Sequence, residues 1–222
     1  MANSEEIPFK VAFCQLIAMS APVAPPDSST STPREHSESF DDWGFAQMDR
    51  LRAAQPWTYG VMEFLTFFGS VKFFVPASLL LPLLLYRRGL GRYAIELLLS
   101  MGGGVALNEL LKAYFHRARP ATALFYQYGL SFPSGHAMMS MAFYGCLAWL
   151  VVQHGRRWSA AAALVGLALL IGLTRIYFHV HYPTDVTAGF AGGAAWLGLL
   201  RTGIRVFWKE KTIAGEASSV SE

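Results

Sequence analysis

The stretch "TRIYFHVHYPTD", Thr174 to Asp185, places an arginine, two histidines and an aspartate directly after an almost uncharged run. His181 and Asp185 stand one helical turn apart, so the carboxylate can face the imidazole. A carboxylate that accepts the Nδ1 proton fixes the tautomer and leaves Nε2 free to attack phosphorus. Two other segments carry matching chemistry. "KAYFHRARP" (112–120) contributes Lys112 and Arg119, and "PSGH" (133–136) reads as a helix start. There Ser134 suits the N-cap, Gly135 admits close backbone approach, and unpaired N–H groups favour an anion. His136 can protonate a leaving oxygen and later activate water. Lys112, Arg119 and Arg175 supply a positive field suited to phosphate oxygens and to charge developing during phosphoryl transfer. No cofactor or metal is needed for this scheme.

Taken singly, each residue has an ordinary explanation. Lys112 and Arg175 at helix ends would anchor to headgroups, and His116, His154 and His179 read as satisfied core histidines. A metal site built on His136, His179 and His181 is disfavoured, because Asp185 alone accompanies them and three cations would repel the ion. Glu96, Asn108 and Glu109 fall in or near an apolar run and read as packing or pairing residues. Tyr126, Tyr128 and Phe132 could contact substrate but read first as surface aromatic anchors.

The elements that must position these groups are apolar. Of 222 residues, 53% are hydrophobic and 15% charged, where a soluble domain carries about a quarter charged. The bases fall in short clusters with no stripe that suggests nucleic acid. Cys14 and Cys146 suggest no disulfide. Five runs have the character of membrane spans: 71–86, 93–112, 137–152, 158–174 and 186–200. Most are somewhat short of the ~20 residues of a full crossing and are completed by flanking turns. Residues 43–69 suit an amphipathic interfacial helix leading into a span. Residues 25–42, rich in Ser, Pro and acid, read as a linker or disordered stretch. The apolar segment 11–24 is compatible with a signal-peptide core, an irregular segment or an interfacial one. The expected fold is all-α, a polytopic transmembrane bundle of five to six spans with an N-terminal interfacial helix. Its divisions are 1–42, a phosphatase domain at 43–208 and a polar tail at 209–222. Small-residue patterns at 102–104 and 189–195 would allow close helix contact in lipid. Arg87, Arg88, Arg92, Arg156, Arg157, Arg201, Arg205, Lys209 and Lys211 cluster on one face, which the positive-inside rule makes cytoplasmic. The charged motifs then emerge together on the other face.

Lys112…Arg119-Pro120, Pro133-Ser134-Gly135-His136 and Arg175…His181…Asp185 resemble the three signature motifs of type 2 phosphatidic acid phosphatases, the lipid phosphate phosphatase superfamily. The resemblance covers about residues 60–205. It implies a phosphohistidine on His181, His136 as acid and base, and Asp185 orienting His181. Lys112, Arg119, Ser134, Gly135 and Arg175 would bind phosphate, with metal-independent action at the outer membrane surface. Thr174 stands where the third motif usually has serine and keeps the hydroxyl. Members commonly have six spans, against five runs here. The expected activity is hydrolysis of lipid phosphomonoesters or diphosphates in a bacterial-type plasma membrane, with the substrate's tail in lipid and no nucleic-acid partner. Transfer of the phosphoryl group to another acceptor, and anion or lipid binding without catalysis, remain the alternatives. The lipid itself, whether phosphatidate, phosphatidylglycerophosphate or an isoprenyl diphosphate, is not legible.

Overall fold

The computed structural model describes the backbone of residues 33–155 and 157–219, and side chains of 39–155 and 157–206. The expectations for residues 1–32, for Arg156, and for the side chains of Lys209 and Lys211 lie outside those. All regular structure among the described residues is helical: α1 (Pro33–Ala54), α2 (Thr58–Phe67), α3 (Val71–Arg87), α4 (Gly91–Phe115), α5 (Gly135–Gly155), α6 (Trp158–Tyr177) and α7 (Pro183–Ser219).

Two boundaries differ from the sequence reading. α1 begins at Pro33, so residues 33–42 are helical where a linker was expected. The run 43–69 is not one helix, because it breaks after Ala54, just before Pro56, and resumes at Thr58. A proline disfavours helical backbone in the residue before it.

α4 shows how a membrane helix sorts its residues. Ile95, Leu98, Leu99, Val105 and Leu110 face outward, while Glu96, Ser100 and Asn108 are buried. In lipid the polar groups must find partners inside the bundle. Ser100 Oγ donates to the Ala142 carbonyl at 2.8 Å, Trp196 Nε1 donates to the Ser100 carbonyl at 3.0 Å, and Arg201 Nε reaches Glu96 at 3.3 Å. The expected pairing role of Glu96 is therefore observed. Phe74, Leu97, Met101, Phe143, Tyr144 and Ile171 form the main apolar core between α3, α4, α5 and α6.

α5 is the central helix and packs on α4, α6 and α7. Two glycines decide how closely α7 approaches it. A Cβ on Gly189 would come within 2.7 Å of the Ser134 carbonyl, and one on Gly193 within 2.7 Å of the Met138 carbonyl. α7 thus lies directly on the first turns of α5, which brings the 181–185 corner beside the 134–136 helix start.

Among the described residues, α4, α5 and α6 are long and apolar enough to cross a membrane. α2 and α3, bent by 41° at their break, count as a fourth if they form one span. α7 falls short of the same test because glycines and Arg201 dilute its apolar residues.

Candidate active site

α4 delivers Lys112 in its last turn and closes on His116, whose left-handed φ of 49° lets its N–H donate to the Lys112 carbonyl at 3.1 Å. The chain then runs through Arg117 and Arg119 and re-enters the bundle at α5. Ser134 N donates to the Asp185 carbonyl at 3.0 Å, stitching the start of α5 to the first turn of α7. α6 ends with Arg175, whose carbonyl accepts from Val180 N at 3.1 Å and folds the chain back so that His181 points inward.

These elements surround a cavity of about 560 Å³. Lys112, Arg119, Gly135, His136 and His181 line its polar end. Val71, Phe74, Val75, Met101 and Val105 give it an apolar wall, and Glu109, Gln127 and Tyr128 are also in the lining. The break between α2 and α3 presses on His136, since a Cβ at Gly69 would meet its ring carbon Cδ2 at 2.9 Å. Cationic groups beside an apolar wall suit a molecule with an anionic head and a hydrocarbon tail.

Asp185, Arg175 and Ser134 do not line the cavity; they are buried behind it. Asp185 Oδ2 accepts from Ser131 Oγ and from Tyr182 N at 2.9 Å, and lies 3.5 Å from His181 Nδ1. On the other side of the ring, His181 Nε2 lies 3.1 Å from Arg119 Nη1. A guanidinium only donates, so Nε2 presents its lone pair and Nδ1 carries the proton. Burial pushes the His181 pKa down to about 4, helped by the charges of Arg119 and Arg175 and opposed by Asp185. The ring is therefore neutral at ordinary pH.

Arg175 donates to Thr66 Oγ1 at 2.8 Å and to Gln127 Oε1. Its Nε, and the Ser134 hydroxyl, are buried without a hydrogen-bond partner. Such atoms are costly to leave unpaired. Ser134 is accordingly not the side-chain cap expected from its position; only its carbonyl joins α5, accepting from Met138 N at 3.0 Å. Lys112 pairs with Glu109 at 3.1 Å, beside Gly135, where any Cβ would sit 3.3 Å from Asn108 Oδ1. His179 is buried as expected and hydrogen-bonds Thr122 at 3.1 Å, whereas His116 and His154 are exposed rather than core residues.

Several participants escaped sequence reasoning: Asp41, Thr66, Arg117, Gln127 and Ser131. Arg117 lies within the Lys112–Arg119 segment, which was the one available signal; nothing local marks the others. Among the described residues no cluster of His, Cys, Asp and Glu has a metal-binding arrangement.

A helical, membrane-type bundle that gathers three cations, two histidines and a buried aspartate around a cavity with an apolar wall defines a class of integral membrane phosphatase. The sequence pattern of the PAP2 superfamily matches residues 93–209, just over half of the chain. The chain belongs to that superfamily and is an enzyme. It is 33% identical over 147 residues to phosphatidylglycerophosphatase B of Bacillus subtilis, covering 63% of this chain and 71% of that protein. It is 34% identical over 129 residues to the lipid A 1-phosphatase of Rhizobium johnstonii, covering 52% of this chain and only 48% of that one. Its fold matches the crystal structure of a transmembrane PAP2-type phosphatidylglycerolphosphate phosphatase from Bacillus subtilis with a TM-score of 0.67 and 29% identity, over 78% of this chain and 86% of that one.

Proposed function

We propose that this chain hydrolyses lipid phosphomonoesters or diphosphates through a phosphohistidine on His181, without a metal. The observation that carries the reading is the His181 ring. His181 lines the cavity, its Nε2 lies beside Arg119 and its Nδ1 is backed by Asp185. Nε2 attacks phosphorus, the bond from phosphorus to the lipid oxygen breaks, and His136 gives that oxygen a proton. His136 then takes a proton from water as the water attacks the phosphohistidine, releasing inorganic phosphate and restoring His181. Lys112, Arg119 and the Gly135 N–H, with Arg175 and the unpaired Ser134 hydroxyl behind them, stabilise the charge on the phosphoryl oxygens.

The same reading places five crossings in the membrane, with α2 and α3 as one bent span and residues 186–200 of α7 as the last. Any sixth would come from the residues before α1. The phosphatase unit is residues 43–208, joined by Asp41 of the preceding turn, with 209–222 as a polar tail. α1 lies at the outer interface, the site faces outward from a bacterial plasma membrane, and the C-terminus is cytoplasmic. The relatives' substrates make phosphatidylglycerophosphate the first lipid to test, followed by phosphatidate and an isoprenyl diphosphate.

The test is release of inorganic phosphate by purified protein in detergent with EDTA across that panel. Turnover is expected for at least one lipid, and its absence for all would favour a binding protein. As pH falls through about 4, His181 takes a proton on Nε2 and loses its lone pair. The acid limb of kcat/KM is therefore expected near that value, and a limb near the ordinary histidine pKa would contradict a ring buried among cations.

His136→Ala should slow lipid hydrolysis by about 10²- to 10⁴-fold. A substrate with a nitrophenolate leaving group needs no proton and should be affected much less. Equal losses on both substrates would remove His136 from the acid role.

A further inference from the structure

We infer that Arg117 and Asp41 are positioning residues, Asp41 setting the Arg117 guanidinium and Arg117 holding the Asp185 carboxylate against His181. The inference rests on the phosphohistidine reading and extends it to a helix outside the region matched by the family pattern.

Arg117 is fixed on three sides. Nη1 donates to Asp185 Oδ1 and to Thr184 Oγ1, both at 2.7 Å. Nη2 donates to Asp41 Oδ2 at 2.8 Å. The guanidinium carbon lies 3.9 Å from the centre of the Tyr182 ring. Asp41 is 3% exposed and is itself locked, because its carboxylate accepts from Thr184 N and Thr184 Oγ1 at 2.8 Å each. α1 thereby grips the first turn of α7 from outside while Arg117 spans the two carboxylates. Burial acts against the charge on Arg117, yet the two aspartates hold its pKa above the usual value.

Neither Arg117 nor Asp41 lines the cavity, so neither is placed to touch substrate. Their effect must pass through Asp185. With Ser131 and Tyr182 N on Oδ2, and Arg117 on Oδ1, the carboxylate has one orientation left, and it faces Nδ1 of His181. Without Arg117, Oδ1 is a buried anion lacking its cation, and the carboxylate can turn away.

The test compares Arg117→Ala, Arg117→Lys and Asp41→Asn with the wild type on whichever lipid phosphate the wild type hydrolyses. For Arg117→Ala, kcat per active site is expected to fall about 10- to 100-fold, with KM changed little. The acid limb of kcat/KM should move upward, because loss of the nearby Arg117 cation makes a proton on His181 less costly. The other groups facing that ring, Arg119, Arg175 and His136, are retained in every variant. Arg117→Lys should restore much of the limb's position but little of kcat, since an ammonium cannot bridge both carboxylates. Asp41→Asn should lower kcat in the same direction by a smaller factor.

A merely structural role would lower the fraction of active protein, counted by a phosphoenzyme burst, and leave kcat per site, KM and the limb unchanged; that result overturns the inference. If Arg117→Ala does not fold, the other two variants decide. Wild-type turnover with unaltered variants would refute this inference alone. No wild-type turnover on any lipid phosphate would refute the reading beneath it.

Discussion

His181→Ala is expected to abolish turnover, with a loss of at least ~10⁴-fold, the scale on which removing an attacking group acts. No neighbour can replace it. Arg119 and Arg175 are cations without a lone pair to offer, and His136, from the start of α5, has the separate part of proton carrier in the proposed reaction. The variant should remain folded, because an alanine leaves Asp185 its bonds from Ser131, Tyr182 N and Arg117. Helical circular dichroism and monodisperse elution in detergent would check that. KM or direct substrate binding should change little, since Lys112, Arg119 and Arg175 remain. Substantial hydrolysis by a folded His181→Ala protein would remove His181 from the nucleophile's role.

Asp185→Asn should cost about 10³- to 10⁴-fold in kcat with little change in KM. The shape is conserved and Asp185 does not line the cavity, so substrate contacts stay. What changes is the proton. An asparagine amide can donate to Nδ1, which moves the ring proton to Nε2 and removes the lone pair from the attacking atom. The direction of the pH effect is also set. Asp185 is the group that favours a charged His181 ring. Its neutralisation should move the acid limb below about 4, opposite to the shift expected for Arg117→Ala. A kcat near wild type, or an upward shift, would show that Asp185 does not act through His181.

The parts of this site that were legible in the sequence are those whose chemistry is local. His181 and Asp185 share a helical turn, and Pro133 to His136 announce a helix start. The apolar runs predicted for 93–112, 137–152 and 158–174 lie within α4, α5 and α6. What could not be read depends on contacts made far along the chain. Asp41 meets Arg117 across 76 residues, and Arg117 meets Asp185 across 68. Asp41 sits in a polar, proline-containing stretch whose composition suggests a linker; it is buried because α1 packs on α6 and α7. Arg175 is held by Thr66 from α2 and Gln127 from the loop before α5, neither of which carries any motif. Ser134 misled in the other direction. Its residue type and position suit an N-cap, yet its hydroxyl is left unpaired at the site. The span count differs because α7 trades apolar side chains for the glycines that let it lie against α5.

The most direct measurement is a rapid acid-free quench of a single turnover with a ³²P-labelled lipid phosphate, followed by mapping of the labelled peptide. One acid-labile, base-stable phosphoryl group per active chain is expected, carried by the peptide that contains His181 and formed and lost at rates consistent with turnover. A label on any other residue, or hydrolysis with no phosphorylated protein at any time, would contradict the proposed mechanism.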